Sequence, residues 1–113
     1  MAAKKTADLV PFCHPLPLER ILIRIDTDSE EAFSLRIDCI VSTTYKTGVE
    51  MEALTGATHA ALCVFDMCKA LSKDIRIVNT HLVMKSGGKA DFGGNKIYSL
   101  RLKFTLFRII RAV

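Results

Sequence analysis

No apolar run in the chain approaches the roughly 20 residues that a bilayer-spanning helix needs, because even the apolar C-terminus is interrupted by Arg101, Lys103, Arg108 and Arg111. No apolar stretch of about 7–15 residues follows Lys4 and Lys5, where Asp8 already intervenes, so no secretory signal is read. The four cysteines, Cys13, Cys39, Cys63 and Cys68, contain no CxxC pair, and Cys63 and Cys68 would stand about 140° apart around a helix, which argues against a zinc knuckle. Free thiols in a reducing, cytoplasmic compartment are expected, most of them acting as small core hydrophobes. Acidic residues are missing from Asn95 to Val113, where five basic ones stand, so residues 1–94 hold 11 basic and 12 acidic groups. The net charge of +4 is therefore a property of the tail, and it does not make nucleic acid or a membrane the expected partner.

What is present is one domain's worth of chain: 113 residues, half of them hydrophobic, enough to fill a packed core and too apolar for global disorder. Residues 2–10 read as a helix that must stop in PFCHPLP, where Pro11, Pro15 and Pro17 make a stiff loop. Arg20 to Asp26 alternates with Ile21, Ile23 and Ile25 on one side, and Phe33 to Val41 alternates likewise, so the two predict an antiparallel hairpin. The main helix is placed from about Glu50 or Glu52 to Leu71, with Leu54, Ala57, Ala61, Val64 or Phe65, Cys68 and Leu71 as its apolar stripe. Ala53, Gly56, Ala60 and Ala70 would let other backbone approach it closely. Ile75 to Met84 reads as a third strand, KSGGKADFGG as a glycine-rich loop, and Ile97 to Leu106 as a fourth strand. This order favours an α+β domain, a mostly antiparallel sheet with its helices on one face.

Asp66 interrupts an almost wholly apolar stretch, ALCVF and MCKAL, and so calls for a reason. Glu52, His59, Asp66, Lys69 and Lys73 fall within about 100° of one another around the helix. Two readings fit that spacing. One is a solvated face with an Asp66–Lys69 pair worth a few tenths of a kcal/mol. The other is a site stripe whose partial burial tunes the acid and the amine to exchange protons near neutrality. Lys46-Thr47-Gly48 and Lys85-Ser86-Gly87-Gly88-Lys89 set ammonium groups beside glycines and hydroxyls, which suits phosphate, although neither is a Walker A loop. Glu50 and Glu52 at the helix entry favour the positive helix N-terminus. His14, between Cys13 and Pro15, sits on a rigid loop as a candidate for hydrogen bonding or proton transfer; with no further ligand at a recognisable spacing, neither a metal nor a cofactor is expected.

Taken in order, KKTADLVPFCHPLP, KTGVEMEALTGA, FDMCKA and KSGGK closely resemble the MoaC family, the cyclic pyranopterin monophosphate synthases of molybdenum cofactor biosynthesis. The resemblance covers roughly Ala3 to Lys89. It implies a ferredoxin-like fold, a trimer-of-dimers hexamer with active sites at subunit interfaces, and an enzyme that rearranges a cyclised dihydro-GTP to a pyranopterin and closes a cyclic phosphate with loss of pyrophosphate. It implies Asp66 as catalytic acid/base with Lys69 as its partner, and Phe12, Cys13, His14, Glu50, Met51 and Glu52 as substrate-binding residues, with Lys85 and Lys89 near the substrate's anionic end. Family members begin some tens of residues earlier, with a first strand and another pocket lysine, and end soon after KSGGK. Residues 1–94 are accordingly expected to form the MoaC-like domain, and the basic stretch 95–113 an extension supplying a substitute edge strand or binding a partner.

Overall fold

The computed structural model describes residues 1–28, 32–87 and, for the backbone, 99–106. A 3-10 turn at Ala2–Lys5 runs into the short helix α1, Thr6–Leu9, and the buried Thr6 hydroxyl donates to the Ala3 carbonyl at 2.9 Å, fixing that junction. Strands β1, Arg20–Thr27, and β2, Ser34–Ser42, pair antiparallel with Ile21, Ile23 and Ile25 opposite Val41, Cys39 and Ile37, so both apolar sets share one face as their alternation requires. Helix α2 spans Glu50–Cys68, β3 spans Ile75–Met84 and β4 spans Ser99–Leu106. The architecture is α+β, an antiparallel sheet with its helices on one face.

The sheet order is β1-β2-β4-β3, and both pairings of β4 are antiparallel. This corrects one expectation: the tail strand is an inner strand, hydrogen-bonded on both sides, and not an added edge. The succession α1, β1, β2, α2, β3 is that of a ferredoxin-like fold from its first helix onward, with β4 filling the inner position between β2 and β3.

Two clusters join α2 to the sheet. Cys39, Val41, Val49, Ala53 and Ala57 form one, with Leu16, Leu18, Ile21 and Leu54 packed around it. Ile37, Ala61 and Ile75 form the other, with Leu35, Val64, Phe65 and Cys68 against them. The small residues do permit a close approach: a Cβ on Gly56 would stand 2.7 Å from the Cys39 sulfur and 3.4 Å from the Ala3 Cβ, so the helix is covered by β2 and by the N-terminal turn together. The helix ends three residues before Leu71: the Leu71 and Ser72 amides turn back to the Cys68 carbonyl, and Leu71 is exposed rather than part of the packed stripe. Among the described residues no helix is long and apolar enough to cross a membrane.

Candidate functional site

The proline loop after α1 is fixed at both ends. The Val10 and Cys13 amides donate to the carbonyls of Thr6 and Val10 at 2.9 and 3.2 Å. At its far end the Glu19 amide donates to the Ser42 carbonyl at 3.0 Å, the Thr44 amide donates to Glu19 Oε1 at 3.1 Å, and the Thr43 hydroxyl donates to the Pro17 carbonyl. The loop therefore folds over the first turn of α2. Between them lies a cleft of about 270 Å³, lined by Phe12, Cys13, His14, Glu50, Met51 and Glu52, with Thr47 and Gly48 on the approach to the helix and Val10, Pro11 and Leu16 as walls. Phe12 stands at its rim, fully exposed, in the left-handed backbone region at φ 64°, which a non-glycine residue adopts only where its surroundings hold it.

The cleft's polar groups are paired across elements. Glu52 is 3% exposed, and the Cys13 thiol donates to its Oε1 at 3.8 Å. Burial, then the charge and hydrogen bond of Glu52, push the Cys13 thiol above its ordinary value, so Cys13 is a protonated donor at neutral pH rather than a thiolate nucleophile. Glu50, the first residue of α2, forms an ion pair with Lys85, the residue after β3. Burial alone would raise the Glu50 carboxyl. Its hydrogen bonds with Lys85 and its own backbone, together with the Lys85 charge, outweigh that and hold it below the usual glutamate range. Glu50 and Glu52 also lie where the helix N-terminus favours anions.

The far end of α2 differs. Lys69 Nζ donates to Asp66 Oδ1 at 2.6 Å, the i,i+3 pair expected from the spacing, yet the two side chains are 56% and 71% exposed. The partial burial that the site-stripe reading called for is absent within this chain, and Asp66 lies sixteen residues, roughly 24 Å, along the helix from Glu50. Of the residues on that side of the helix, His59 is exposed as Asp66 is, as a solvated face requires, whereas Glu52 is buried beside the proline loop.

The structure thus gathers Phe12, Cys13, His14, Glu50, Met51 and Glu52 in one cleft, ties Lys85 to it through Glu50, and leaves Asp66 and Lys69 apart; Lys89 lies outside the described residues. Sequence reasoning missed Val10, Pro11 and Leu16 as cleft walls and the Cys13–Glu52 contact, which joins residues 39 apart. The available signal was the density of prolines, which marks a loop rigid enough to act as a wall.

Comparison with known proteins gives a consistent answer. The sequence pattern of the MoaC family matches residues 1–88. The "Molybdenum cofactor biosynthesis bifunctional protein" of Synechocystis is 50% identical over 104 residues, covering 90% of this chain and 30% of that protein. The "Cyclic pyranopterin monophosphate synthase" of Xanthomonas oryzae pv. oryzae is 54% identical over 93 residues, 82% of this chain and 55% of its own length. "Molybdenum cofactor biosynthesis protein 1" of Dictyostelium discoideum is 57% identical over 90 residues, 80% of this chain and 14% of that protein. The chain spans about half, or less, of the length of these relatives. With the family pattern running through α1, the proline loop, the hairpin, α2 and β3, the chain belongs to the MoaC family.

Proposed function

We propose that this chain carries cyclic pyranopterin monophosphate synthase chemistry, a lyase reaction that rearranges a cyclised dihydro-GTP and releases pyrophosphate. The supporting observation is the cleft itself, where a histidine, a protonated thiol and two carboxylates meet under the proline loop with an ion-paired lysine alongside. Such a set suits a polar heterocycle at the carboxylates and His14, and anionic oxygens toward Lys85. The rearrangement needs proton transfers, and an acid hydrogen-bonded to an amine at 2.6 Å is suited to exchange them. Asp66 and Lys69 take that role in this reading.

They can act only if something brings them to the cleft, and the cleft, at about 270 Å³, falls just below the roughly 300–1,000 Å³ of ordinary ligand pockets. A second copy of the chain supplies both needs. If two α2 helices pack antiparallel about a two-fold axis beside His59, residue 66 of one copy stands opposite residue 52 of the other. The face this uses exposes Met51, His59 and Leu62 and carries an apolar groove of about 340 Å³ lined by Leu9, Val10, Leu54 and those residues. The pairing also sets Lys69 near Glu50 and Glu52, which is electrostatically favourable. Higher assembly, to a trimer of such dimers, belongs to the same proposal, as does the placement of Lys89 and the assignment of residues 1–94 to the catalytic domain.

The test is incubation of the purified chain with the cyclised dihydro-GTP, following pyranopterin and pyrophosphate, beside an Asp66→Asn control and a measurement of mass in solution. Product from the parent chain alone, formed by an oligomer, is the expected result. A monomer without product overturns the reading.

A further inference from the structure

Gly48 has no conformational reason to be glycine: among the described glycines Gly87 has the positive φ, not Gly48. Its reason is space. A Cβ built there would fall within 3.0 Å of three atoms of one neighbour, the Cδ, Oε1 and Oε2 of Glu50. The carboxylate has folded back over the backbone two residues before it, and from that position it pairs with Lys85. The pair bridges the entry of α2 and the end of β3.

We infer that Gly48 is a positioning residue for the cleft's cation: the room left by its missing side chain houses the Glu50 carboxylate, and Glu50 in turn holds the Lys85 ammonium beside the cleft. The part of this that concerns ligand binding rests on the function proposed above; the part that concerns Lys85 does not. Both Gly48 and Glu50 line the cleft, so a displaced Glu50 changes the charge that an entering anion meets. What must yield to a Cβ at position 48 is the end of a flexible side chain and not backbone, so Gly48→Ala keeps its fold while displacing Glu50 from Lys85.

Two measurements test this. The first is acetylation of Lys85 by acetic anhydride, read by mass spectrometry against the exposed Lys73 in the full chain. Ion pairing protects the amine, so Gly48→Ala and Glu50→Gln are each expected to raise the Lys85 rate about five- to tenfold relative to Lys73, with melting temperatures within a few degrees of the parent. An unchanged ratio in Gly48→Ala overturns the inference whatever the protein's activity. The second is binding of inorganic tripolyphosphate, with Gly48→Ala, Lys85→Met and the double variant. A positioning role predicts about tenfold weaker binding in Gly48→Ala and no further loss when it is added to Lys85→Met. Losses that multiply overturn it. If the parent chain binds no tripolyphosphate, the functional reading of the cleft fails, and the acetylation ratio alone decides the role of Gly48.

Discussion

The two ends of α2 carry similar charges and meet opposite surroundings. At the N-terminal end, Glu52 is buried under a loop that begins nearly forty residues earlier in the chain, and Glu50 is drawn to Lys85 at the end of β3. At the C-terminal end, Asp66 and Lys69 satisfy each other and are otherwise open to water. The helical period treats Glu52 and Asp66 alike, since fourteen residues bring a side chain back to within about 40° of its starting direction. What separates them is cover. One carboxylate is roofed by the proline loop, and the other stands open to water among the described residues.

The strongest way to break that comparison is to remove the open acid. Asp66→Asn should lower the rate of pyranopterin formation by about 10² to 10⁴ while leaving the thermal midpoint nearly unchanged, because an exposed i,i+3 pair contributes little to stability. Activity retained within a few fold would return Asp66 to an ordinary solvated face. Mixing sharpens the comparison further. If each site takes its cleft from one copy and its acid from another, refolding Asp66→Asn together with His14→Ala in equal amounts should recover about a quarter of parental activity, since half the dimers are mixed and each holds one intact site. A mixture as inactive as its components would mean that the two ends of α2 do not serve a common site.

The covered half should also respond to pH and to packing in ways the open half does not. Burial under α2 pushes the Cys39 thiol up to about 11 from an ordinary value near 9. The folded state therefore holds that proton more tightly than the unfolded one; stability is undiminished below pH 9 and falls as pH rises toward 11, by on the order of 2–3 kcal/mol. Denaturant titrations at pH 8 and 11, with Cys39→Ala to abolish the difference, would check this. Gly56→Ala should cost about 1 kcal/mol in the same assay, because the 2.7 Å approach to the Cys39 sulfur outweighs the gain in helix propensity, and Cys39→Ala should relieve it. At the open end, Met67→Ala should change the unfolding free energy by under about 0.5 kcal/mol, as befits a side chain in water.

Much of the fold was legible because alternation and helical period are local. Ile21, Ile23 and Ile25 announce β1, the β2 residues Ile37, Cys39 and Val41 occupy the face their spacing assigns, and Gly56 sits where close approach was expected. The failures share one cause. Period records which residues share a face and says nothing of what lies over it, so it left Glu52 open between a solvated face and a site stripe, placed Leu71 on the packed stripe, and gave two faces for β4 without revealing its neighbours. The motifs of the cleft were readable residue by residue. Their division between the two ends of a helix was not, because that depends on where the proline loop closes in space.

The inner position of β4 also sets an order of events during synthesis. Strands β2 and β3 have no ladder to each other, and their hydrogen-bonded link runs through residues 99–106, so while a ribosome still holds those residues the hairpin and the third strand are not yet one sheet. α2 can dock on the hairpin at that stage, but its second core cluster, which needs Ile37 and Ile75 side by side, has no sheet beneath it. The cleft end of the helix can thus mature first, and the acid–amine end acquires its footing only when the last strand slides between its neighbours.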